Sequence, residues 1–322
     1  MTVATPKPRS CEASPPIFLV GSERSGTTLL RLMLNGHPEI AFHPEAEYIV
    51  DRIAADGTLP PIDEYHAYLP TQLAFRTSGF IVDRGLSYSE LVRSFVEQKR
   101  RRDAKPHVDA TVHHAFDRLP YVFPEARYIH LLRDGRDVSR SVVAMGWAGN
   151  AWHGSVVWRE AEQAWEQLAT RLRPDQHITV RYEDLIADAT QTLTSVCEFL
   201  GVSFDQGLFQ YEKTSTYDLP DPKFIAQWRH KSSAREVRAI ESQVGDVLVA
   251  RGYELSEARR KIGALGRARL RLDSRLRRAM FRMRPYGAMT HLQFALCRRL
   301  GLRQMADRAA ARMAEVDWAY IR

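Results

Sequence analysis

The chain has 322 residues, of which 44% are hydrophobic, enough for one large α/β domain or a domain with an appendage. No apolar run reaches the length of a membrane span, and the polar, Pro-rich residues 1–16 lack the apolar region of a secretory signal. The three cysteines, Cys11, Cys197 and Cys297, have neither metal-ligand nor disulfide-framework spacing. We therefore expect a cytoplasmic protein, or one peripheral to a membrane.

The net charge of +7 is unevenly distributed along the chain. Residues 256–322 contain 17 Lys and Arg against 5 Asp and Glu, which leaves 29 basic and 34 acidic residues in 1–255. The excess positive charge indicates an anionic partner for the last fifth: an acidic substrate, a membrane surface or another subunit. We expect a flexible arm (1–15), an α/β domain (16–255) and a basic helical extension (256–322).

Strand and helix patterns alternate along the chain, which predicts a parallel sheet with helices on both faces. The predicted strands are 17–20, 40–43, 106–109, 127–132 and 177–182. The predicted helices are 27–35, 89–101, 111–121, 137–145, 155–172, 191–200 and 233–249. From 259 to 284, arginines alternate with apolar residues at helical spacing, which predicts one or two basic amphipathic helices before a final helical hairpin.

A glycine-bounded turn, Gly-Ser-Glu-Arg-Ser-Gly-Thr-Thr over residues 21–28, joins the first strand to the first helix. Main-chain N–H groups of such a turn and the helix dipole bind anions. The pattern differs from the nucleotide-triphosphatase loop G-x-x-x-x-G-K-[ST] at one position, where Thr27 replaces the lysine. Arg24 supplies a cation three residues earlier. The loop is predicted to bind a phosphate-like group, but not ATP–Mg²⁺ in the usual way.

A second phosphate-binding pattern occupies residues 123–141. Arg133 ends a predicted strand, a tight turn follows at Asp134-Gly135, and Ser141 lies about two turns into the next helix. An arginine at the carboxyl end of a parallel strand and a hydroxyl on the following helix can hold one phosphate from two sides. The alternative is a structural strand–turn–helix in which Arg133 pairs with Asp137.

Together these segments resemble the sulfotransferase family that uses 3′-phosphoadenosine-5′-phosphosulfate (PAPS). Residues 21–30 resemble that family's 5′-phosphosulfate loop, and Arg133 with Ser141 resembles its 3′-phosphate site. Residues 180–185, 197–201, 228–229 and 252–253 are also similar, so the resemblance covers roughly 15–255. It implies a P-loop-type three-layer α/β fold that moves a sulfuryl group from PAPS to a hydroxyl acceptor without a metal.

The resemblance also implies roles for individual residues. The donor lacks a γ-phosphate, which removes the need for the loop lysine and for Mg²⁺. Arg133 and Ser141 would bind the 3′-phosphate, and Tyr182 would contact the adenine edge unless it is a structural strand-end tyrosine. The 5′-phosphosulfate would be held by the loop and the first helical turn, through Arg24, Ser25, Gly26, Thr27 and Thr28.

In-line sulfuryl transfer requires a base for the acceptor hydroxyl and cations for the leaving oxygen. Residues 37–47 resemble the protein-tyrosine sulfotransferase branch, and counting from Arg24 places its catalytic base on Glu45. Desolvation near the strand mouth is expected to raise the pKa of Glu45. The competitors are Glu47 and, for an imidazole base, His43, His113 and His114.

The chain departs from the family where a lysine usually stabilises the transition state, because Ala110 occupies that position. Arg24 then acts alone, or a second cation comes from the polar, turn-rich segment 211–231, which has the character of a substrate-side lid. The candidates for that second cation are Lys213, Lys223, Arg229 and Lys231.

Two other functions remain open at this point. A P-loop kinase is disfavoured by Thr27 and by the lack of a Walker-B aspartate. A protein that binds an anionic partner through its C-terminal arginines is the second alternative, although no nucleic-acid motif accompanies them, so no nucleic acid is expected. We expect residues 259–284 to face an anionic acceptor or membrane surface, or to form a solvated face or homo-oligomer contact. We expect the acceptor hydroxyl to belong to a phenol, peptide tyrosine, sugar or lipid.

Overall fold

The computed structural model describes residues 14–256, 262–286 and 296–297. These residues divide into two compact units. The first contains residues 14–134 and 158–227, and the second contains the described residues of 135–157 and 228–297. The predicted domain bounds near residues 15 and 255 stay a prediction, and residues 1–13 of the predicted arm lie outside the described residues.

The first unit is built on a parallel five-stranded sheet, which confirms the predicted fold class. Its strands are β1 (Ile17–Val20), β2 (Ile40–Glu45), β3 (His107–Val112), β4 (Arg127–Leu132) and β5 (His177–Arg181). The spatial order is β2-β3-β1-β4-β5, so β1 is central and pairs with β3 and β4. The chain leaves β1 toward one side of the sheet and later returns to the other, and ligands bind beyond the carboxyl ends of strands at such a switch point.

The helices connect these strands and form the second unit. Within the described residues, none has the length and hydropathy needed to cross a bilayer. Short 3₁₀ helices cover Glu47–Ile49, Leu69–Thr71, Phe116–Tyr121, Pro174–Gln176, Gln206–Lys213 and Pro222–Phe224. The α-helices are α1 (Thr27–Asn35), α2 (Ile62–Tyr68), α3 (Leu73–Ser78), α4 (Tyr88–Asp103), α5 (Gly135–Ala144), α6 (Ala151–Ala169), α7 (Tyr182–Ala187), α8 (Ala189–Leu200), α9 (Trp228–Lys231), α10 (Ala234–Ala250) and α11 (Ala264–Tyr286).

Each face of the sheet has its own hydrophobic core. Successive side chains of a strand point to opposite faces, and the buried apolar run of β1 divides accordingly. Phe18 and Val20 belong to a cluster that includes side chains of α4 and α6. Ile17 and Leu19 belong to a second cluster with side chains of α1, α7 and α8. The sheet is therefore covered on both faces, as the alternating pattern predicts.

A buried ion pair lies inside the second unit. Arg136 of α5 donates from Nη1 to Glu241 Oε1 of α10 at 2.8 Å, and both side chains are at most 3% exposed. The guanidinium lies over the ring of Trp228, and Glu241 also accepts hydrogen bonds from Ser256. Because removing one partner leaves an uncompensated buried charge, such a pair typically costs about 3–5 kcal/mol to break.

The predicted helix over 111–121 is wrong. Thr111 and Val112 complete β3, because their backbone continues the parallel ladder with β1. Within this range only Phe116–Tyr121 is helical, and it forms a 3₁₀ helix that contains Pro120. Ala115, just before this helix, has a left-handed backbone conformation. The other predicted helices and strands up to residue 250 are present, with ends shifted by up to four residues. Helix α11 confirms a helix in the basic segment, and the predicted final hairpin lies outside the described residues except for 296–297.

Candidate functional site

The glycine loop at the carboxyl end of β1 is tightly curved. Gly21, Arg24 and Gly26 have φ angles of 149°, 67° and 100°. A Cβ atom at Gly21 would lie 2.5 Å from the carbonyl oxygen of Leu131, and one at Gly26 would lie 2.5 Å from the ring of Tyr182. Arg24 is unusual because non-glycine residues rarely adopt this region, and such conformations occur often at functional sites.

Hydrogen bonds inside the loop fix this curvature. The main-chain N–H and the hydroxyl of Ser25 both donate to the Ser22 carbonyl, at 3.2 and 2.7 Å. Because the residue before α1 is glycine, no side chain caps the first-turn N–H groups of Thr27 and Thr28. A helix N-terminus with such N–H groups is an anion-binding site. The predicted loop residues are therefore brought together around an anion cradle.

Arg133 and Tyr182, which directly follow the neighbouring strands β4 and β5, contact the loop. The guanidinium of Arg133 donates to the carbonyls of Arg24 and Phe224, at 3.2 and 3.3 Å. Its Cζ atom lies 4.0 Å from the centre of the Tyr182 ring. Tyr182 is the first residue of α7, is 7% exposed and packs on Gly26. These two predicted donor-binding residues thus support the loop directly.

The two residues predicted to bind the 3′-phosphate belong to different units. Arg133 follows β4 in the first unit, and Ser141 lies half-buried on α5 in the second. The proposed pairing of these residues stays a prediction.

A buried histidine joins the loop helix to a carboxylate. His113 follows β3 and is 8% exposed. Its Nε2 atom lies 3.0 Å from Thr27 Oγ1, and its Nδ1 atom lies 2.8 Å from Glu47 Oε1. The main-chain N–H of His113 donates to the same carboxylate oxygen at 3.1 Å. Thr27 therefore has a hydrogen-bonded histidine partner at the position where a nucleotide triphosphatase has its lysine.

The electrostatics of this pair favour charge on both groups. Burial acts to raise the pKa of Glu47, but hydrogen bonds and charge from His113 outweigh it and lower that pKa overall. Burial acts to lower the pKa of His113, but Glu47, with help from the charges of Glu23 and Glu45, raises it above the ordinary histidine value. Glu47, the predicted competitor for the base, is therefore occupied by His113.

Glu45 is the last residue of β2, and its side chain is exposed. The register of β2 against β3 shifts between His43 and Glu45, which pairs Glu45 with Thr111. The expectation that Glu45 is desolvated is wrong, because Pro44 and Glu45, the last two residues of β2, are both exposed. Burial lowers the pKa of Arg31 on α1, and the charge of Glu45 opposes that shift. Arg31 thus lies in the field of Glu45, a relation that no sequence motif indicated.

The other candidate histidines have structural partners. His43 is buried, and its Nε2 atom is 3.0 Å from the Tyr48 hydroxyl. Burial, with the charges of Lys99, Arg102 and Arg31, lowers the pKa of His43 to about 4. His114 is exposed, and its Nε2 atom lies 2.7 Å from Asp51 Oδ1, a hydrogen bond that raises its pKa. His43 is therefore neutral near pH 7, and His114 is held by the half-buried carboxylate of Asp51.

Ala110, which occupies the position of the family's lysine, is buried within β3. Ala110 is 8% exposed and pairs with Phe18 in the sheet. Two of the candidate replacement cations are surface residues of the first unit: Lys213 ends a 3₁₀ helix, and Lys223 pairs with Asp221 at 2.5 Å. Arg229 and Lys231 lie on α9 in the second unit. A second catalytic cation from this set stays a prediction.

The second unit contains an open basic groove of about 940 Å³ between α5, the start of α6, α10 and α11. Its exposed cations include Lys231, Arg235 and Arg269. The two acidic groups that line it are already hydrogen-bonded: Glu236 caps α10 through Ser233, and Asp273 accepts from Asn150 and Arg277. The groove is therefore a positively charged surface, and its α11 wall belongs to the predicted basic segment.

The central parallel sheet, the switch-point glycine loop and the uncapped helix N-terminus define an α/β protein of the P-loop type with an anion site. Within this class, the chain belongs to the sulfotransferase family, since the model of the sulfotransferase family matches residues 15–206.

Several curated relatives are named protein-tyrosine sulfotransferases. Protein-tyrosine sulfotransferase A of Caenorhabditis elegans is 26% identical over 212 residues, covering 64% of this chain and 55% of that protein. Protein-tyrosine sulfotransferase 2 of Gallus gallus is 23% identical over 216 residues, covering 64% and 56%. The chain thus spans a little over half the length of these relatives.

Solved structures confirm the fold. The sulfotransferase domain of the Synechococcus PCC 7002 olefin synthase is 22% identical, with a TM-score of 0.59 over 79% of this chain and 100% of that domain. The sulfotransferase domain from the curacin biosynthetic pathway is 20% identical, with a TM-score of 0.55 over 75% and 99%.

Proposed function

We propose that this protein transfers a sulfuryl group from PAPS to a hydroxyl acceptor. The observation that supports this most is the curved glycine loop, which offers uncapped N–H groups and the Arg24 cation while a threonine replaces the lysine that serves a γ-phosphate. Membership of the sulfotransferase family agrees with that chemistry.

The donor site is proposed to use the loop for the phosphosulfate. The first-turn N–H groups of α1 and the guanidinium of Arg24 bind the 5′ side, because such groups match a compact anion. Arg133 and Ser141 are proposed for the 3′-phosphate, and Tyr182 for the adenine edge. A phosphosulfate has no γ-phosphate to be bridged, so we propose that no metal is required.

The transfer step is proposed to be in-line. Glu45 takes the proton of the acceptor hydroxyl as its oxygen bonds to sulfur, while the bond from sulfur to the bridging oxygen breaks and Arg24 stabilises charge on that oxygen. Two observations favour Glu45 over Glu47. The Glu45 carboxylate is exposed at the carboxyl end of β2, whereas Glu47 already accepts two hydrogen bonds from His113.

The acceptor is proposed to be a phenolic hydroxyl such as a peptide tyrosine, in line with the names of the curated relatives. Sugar and lipid hydroxyls are alternative classes. The basic groove supports an acceptor that carries negative charge, because its exposed cations raise the local concentration of anions. The cytoplasmic or membrane-peripheral location and the homo-oligomer stay predictions.

The experiment that tests this function is transfer of labelled sulfate from PAPS to a panel of tyrosine peptides, phenols, glycans and lipids. We expect labelled product with at least one acceptor class. Arg24→Ala should abolish it, and Arg84→Ala, which removes an exposed arginine elsewhere in the first unit, should not. Absence of sulfate transfer to every acceptor, together with phosphate transfer from ATP, would contradict the proposal.

A further inference from the structure

Three side chains from separate elements form a continuous hydrogen-bonded row under the glycine loop. Glu47 begins the 3₁₀ helix after β2, His113 follows β3, and Thr27 begins α1. The two side-chain contacts are 2.8 Å from Glu47 to His113 and 3.0 Å from His113 to Thr27. Thr27 is only 3% exposed, so its hydroxyl depends on neighbours for hydrogen-bond partners.

The contacts of Glu47 fix the tautomer of His113. Glu47 Oε1 accepts from the main-chain N–H of His113 and faces the Nδ1 atom of its ring. Despite burial, hydrogen bonds and charge from His113 lower the pKa of Glu47, so the carboxylate is ionised near pH 7 and has no proton to donate. Nδ1 therefore carries a hydrogen, and Nε2 is the ring atom that changes on titration.

The direction of the Thr27 hydroxyl follows from the state of Nε2. In the neutral imidazole, Nε2 accepts the Thr27 proton, so that proton is not offered to a ligand. In the imidazolium, Nε2–H donates to Thr27 Oγ1, and the hydroxyl proton must find another acceptor. A buried hydroxyl proton without an acceptor costs free energy, and an anion in the loop supplies one.

We propose that His113 is a positioning residue that aims the Thr27 hydroxyl at the bound anion, so that donor binding is coupled to uptake of a proton by His113. This inference rests on the proposed function, since the anion in question is the phosphosulfate of the donor. The protonated His113, together with Thr27, would thereby supply positive charge next to the loop. In this chain, Ala110 occupies the position where the family usually has a lysine.

The charged groups around His113 favour its protonated form. Burial lowers the pKa of His113, and three carboxylates raise it: Glu47 by direct contact, Glu23 from the loop and Glu45 from the end of β2. The net shift is upward from the ordinary value, so the protonated form persists to higher pH than in a free histidine. If the Glu47–His113 contact served only to hold the ends of β2 and β3 together, ligand binding would not change the protonation of His113.

The test is isothermal titration of adenosine 3′,5′-bisphosphate in buffers of different ionisation enthalpy, from about pH 6 to pH 8.5, around the titration range of histidine. The change in observed enthalpy with buffer gives the number of protons taken up. Thr27→Val removes the hydroxyl and leaves the Glu47–His113 pair. On binding the bisphosphate, the wild type should take up more protons than this variant, by up to about one proton. His113→Gln should lose the same uptake and bind about tenfold more weakly near pH 6, since it lacks the favourable protonated state.

The control is His114→Gln, which removes the adjacent exposed histidine that pairs with Asp51. It should keep the wild-type proton uptake. Equal proton uptake by the wild type and Thr27→Val would overturn this inference while leaving the proposed function intact. A wild type that fails to bind the bisphosphate would overturn the proposed function and this inference together.

Discussion

The glycine loop and the basic groove both attract anions, but they do so by different means. The loop uses main-chain groups and buried, hydrogen-bonded side chains, such as Ser25 at 1% and Thr27 at 3% exposure. The groove uses exposed side chains such as Arg235 and Arg269, whose positions are not fixed by burial. Fixed groups recognise a shape, whereas mobile surface charges supply a salt-sensitive field. Changes in the loop should therefore have large effects that salt barely alters.

The largest effect is expected where chemistry takes place next to the loop. Glu45→Gln removes the proposed base, so turnover should fall by roughly 10²–10⁴-fold with donor affinity unchanged. The matched control is Glu39→Gln, an exposed carboxylate just before the opposite end of β2. Sulfate-transfer kinetics with calorimetric donor binding check both parts. A fully active Glu45→Gln protein would assign the base to another residue.

The next effect tests whether the loop's shape itself recognises the donor. Gly26→Ala places a Cβ atom 2.5 Å from the Tyr182 ring at a φ of 100°. Left-handed strain and overpacking cost about 1–3 kcal/mol each, so donor affinity should fall by about 10²-fold. Gly201→Ala is the control, because it has a φ of 79° and open space around the new Cβ atom. Equal donor affinities in both variants would refute a shape-based site.

The third effect concerns the stability of the first unit and not its affinity for the donor. Asp109 on β3 is 1% exposed, and neither carboxyl oxygen has a hydrogen-bond partner among the described residues. Burial raises its pKa well above the ordinary value. The unfolded chain ionises first as pH rises, so the wild type loses stability above about pH 4.

Asp109→Asn removes this titration and leaves a neutral side chain of similar shape. The variant should match the wild type near pH 3.5 and exceed it by about 1–3 kcal/mol in unfolding free energy at pH 7. Denaturant unfolding at several pH values measures the difference, and donor affinity should not change. A pH-independent difference would contradict the buried-acid interpretation.

The smallest effect is expected in the groove. The double change Arg235→Ala and Arg269→Ala should lower kcat/KM for an anionic acceptor by about 3–10-fold at low salt, because exposed charges act mainly through a screened field. The loss should disappear in about 0.5 M salt. The double change Arg76→Ala and Arg84→Ala, at two exposed positions of the first unit, serves as the charge-matched control. A loss that persists at high salt would indicate specific contacts in the groove instead.

The sequence was most informative where local pattern decides structure. The strand at Ile17–Val20 and the helix at Thr27–Asn35 have the predicted bounds, since an apolar run, glycines and helical spacing all lie within one short segment. The helix predicted over 111–121 failed because strand pairing, a long-range effect, keeps Thr111 and Val112 extended.

The same reason limited prediction of the site. Glu47 and His113 were recognisable as candidate bases, but their contact spans 66 positions and depends on β2 and β3 being parallel neighbours. The register shift just before Glu45 also depends on strand pairing, which no local residue pattern predicts. Local motifs therefore identified the loop, whereas side-chain partners required the assembled sheet.

We propose that the loop belongs to a site for a 3′-phosphorylated adenosine donor. Calorimetric titration of adenosine 3′,5′-bisphosphate, adenosine 5′-monophosphate and ATP with Mg²⁺ tests it most directly. We predict that the bisphosphate binds at least about 10²-fold more tightly than the monophosphate, since a second phosphate adds charge-assisted hydrogen bonds. Equal affinity for the bisphosphate and the monophosphate, or tighter binding of ATP with Mg²⁺, would rule out such a donor site.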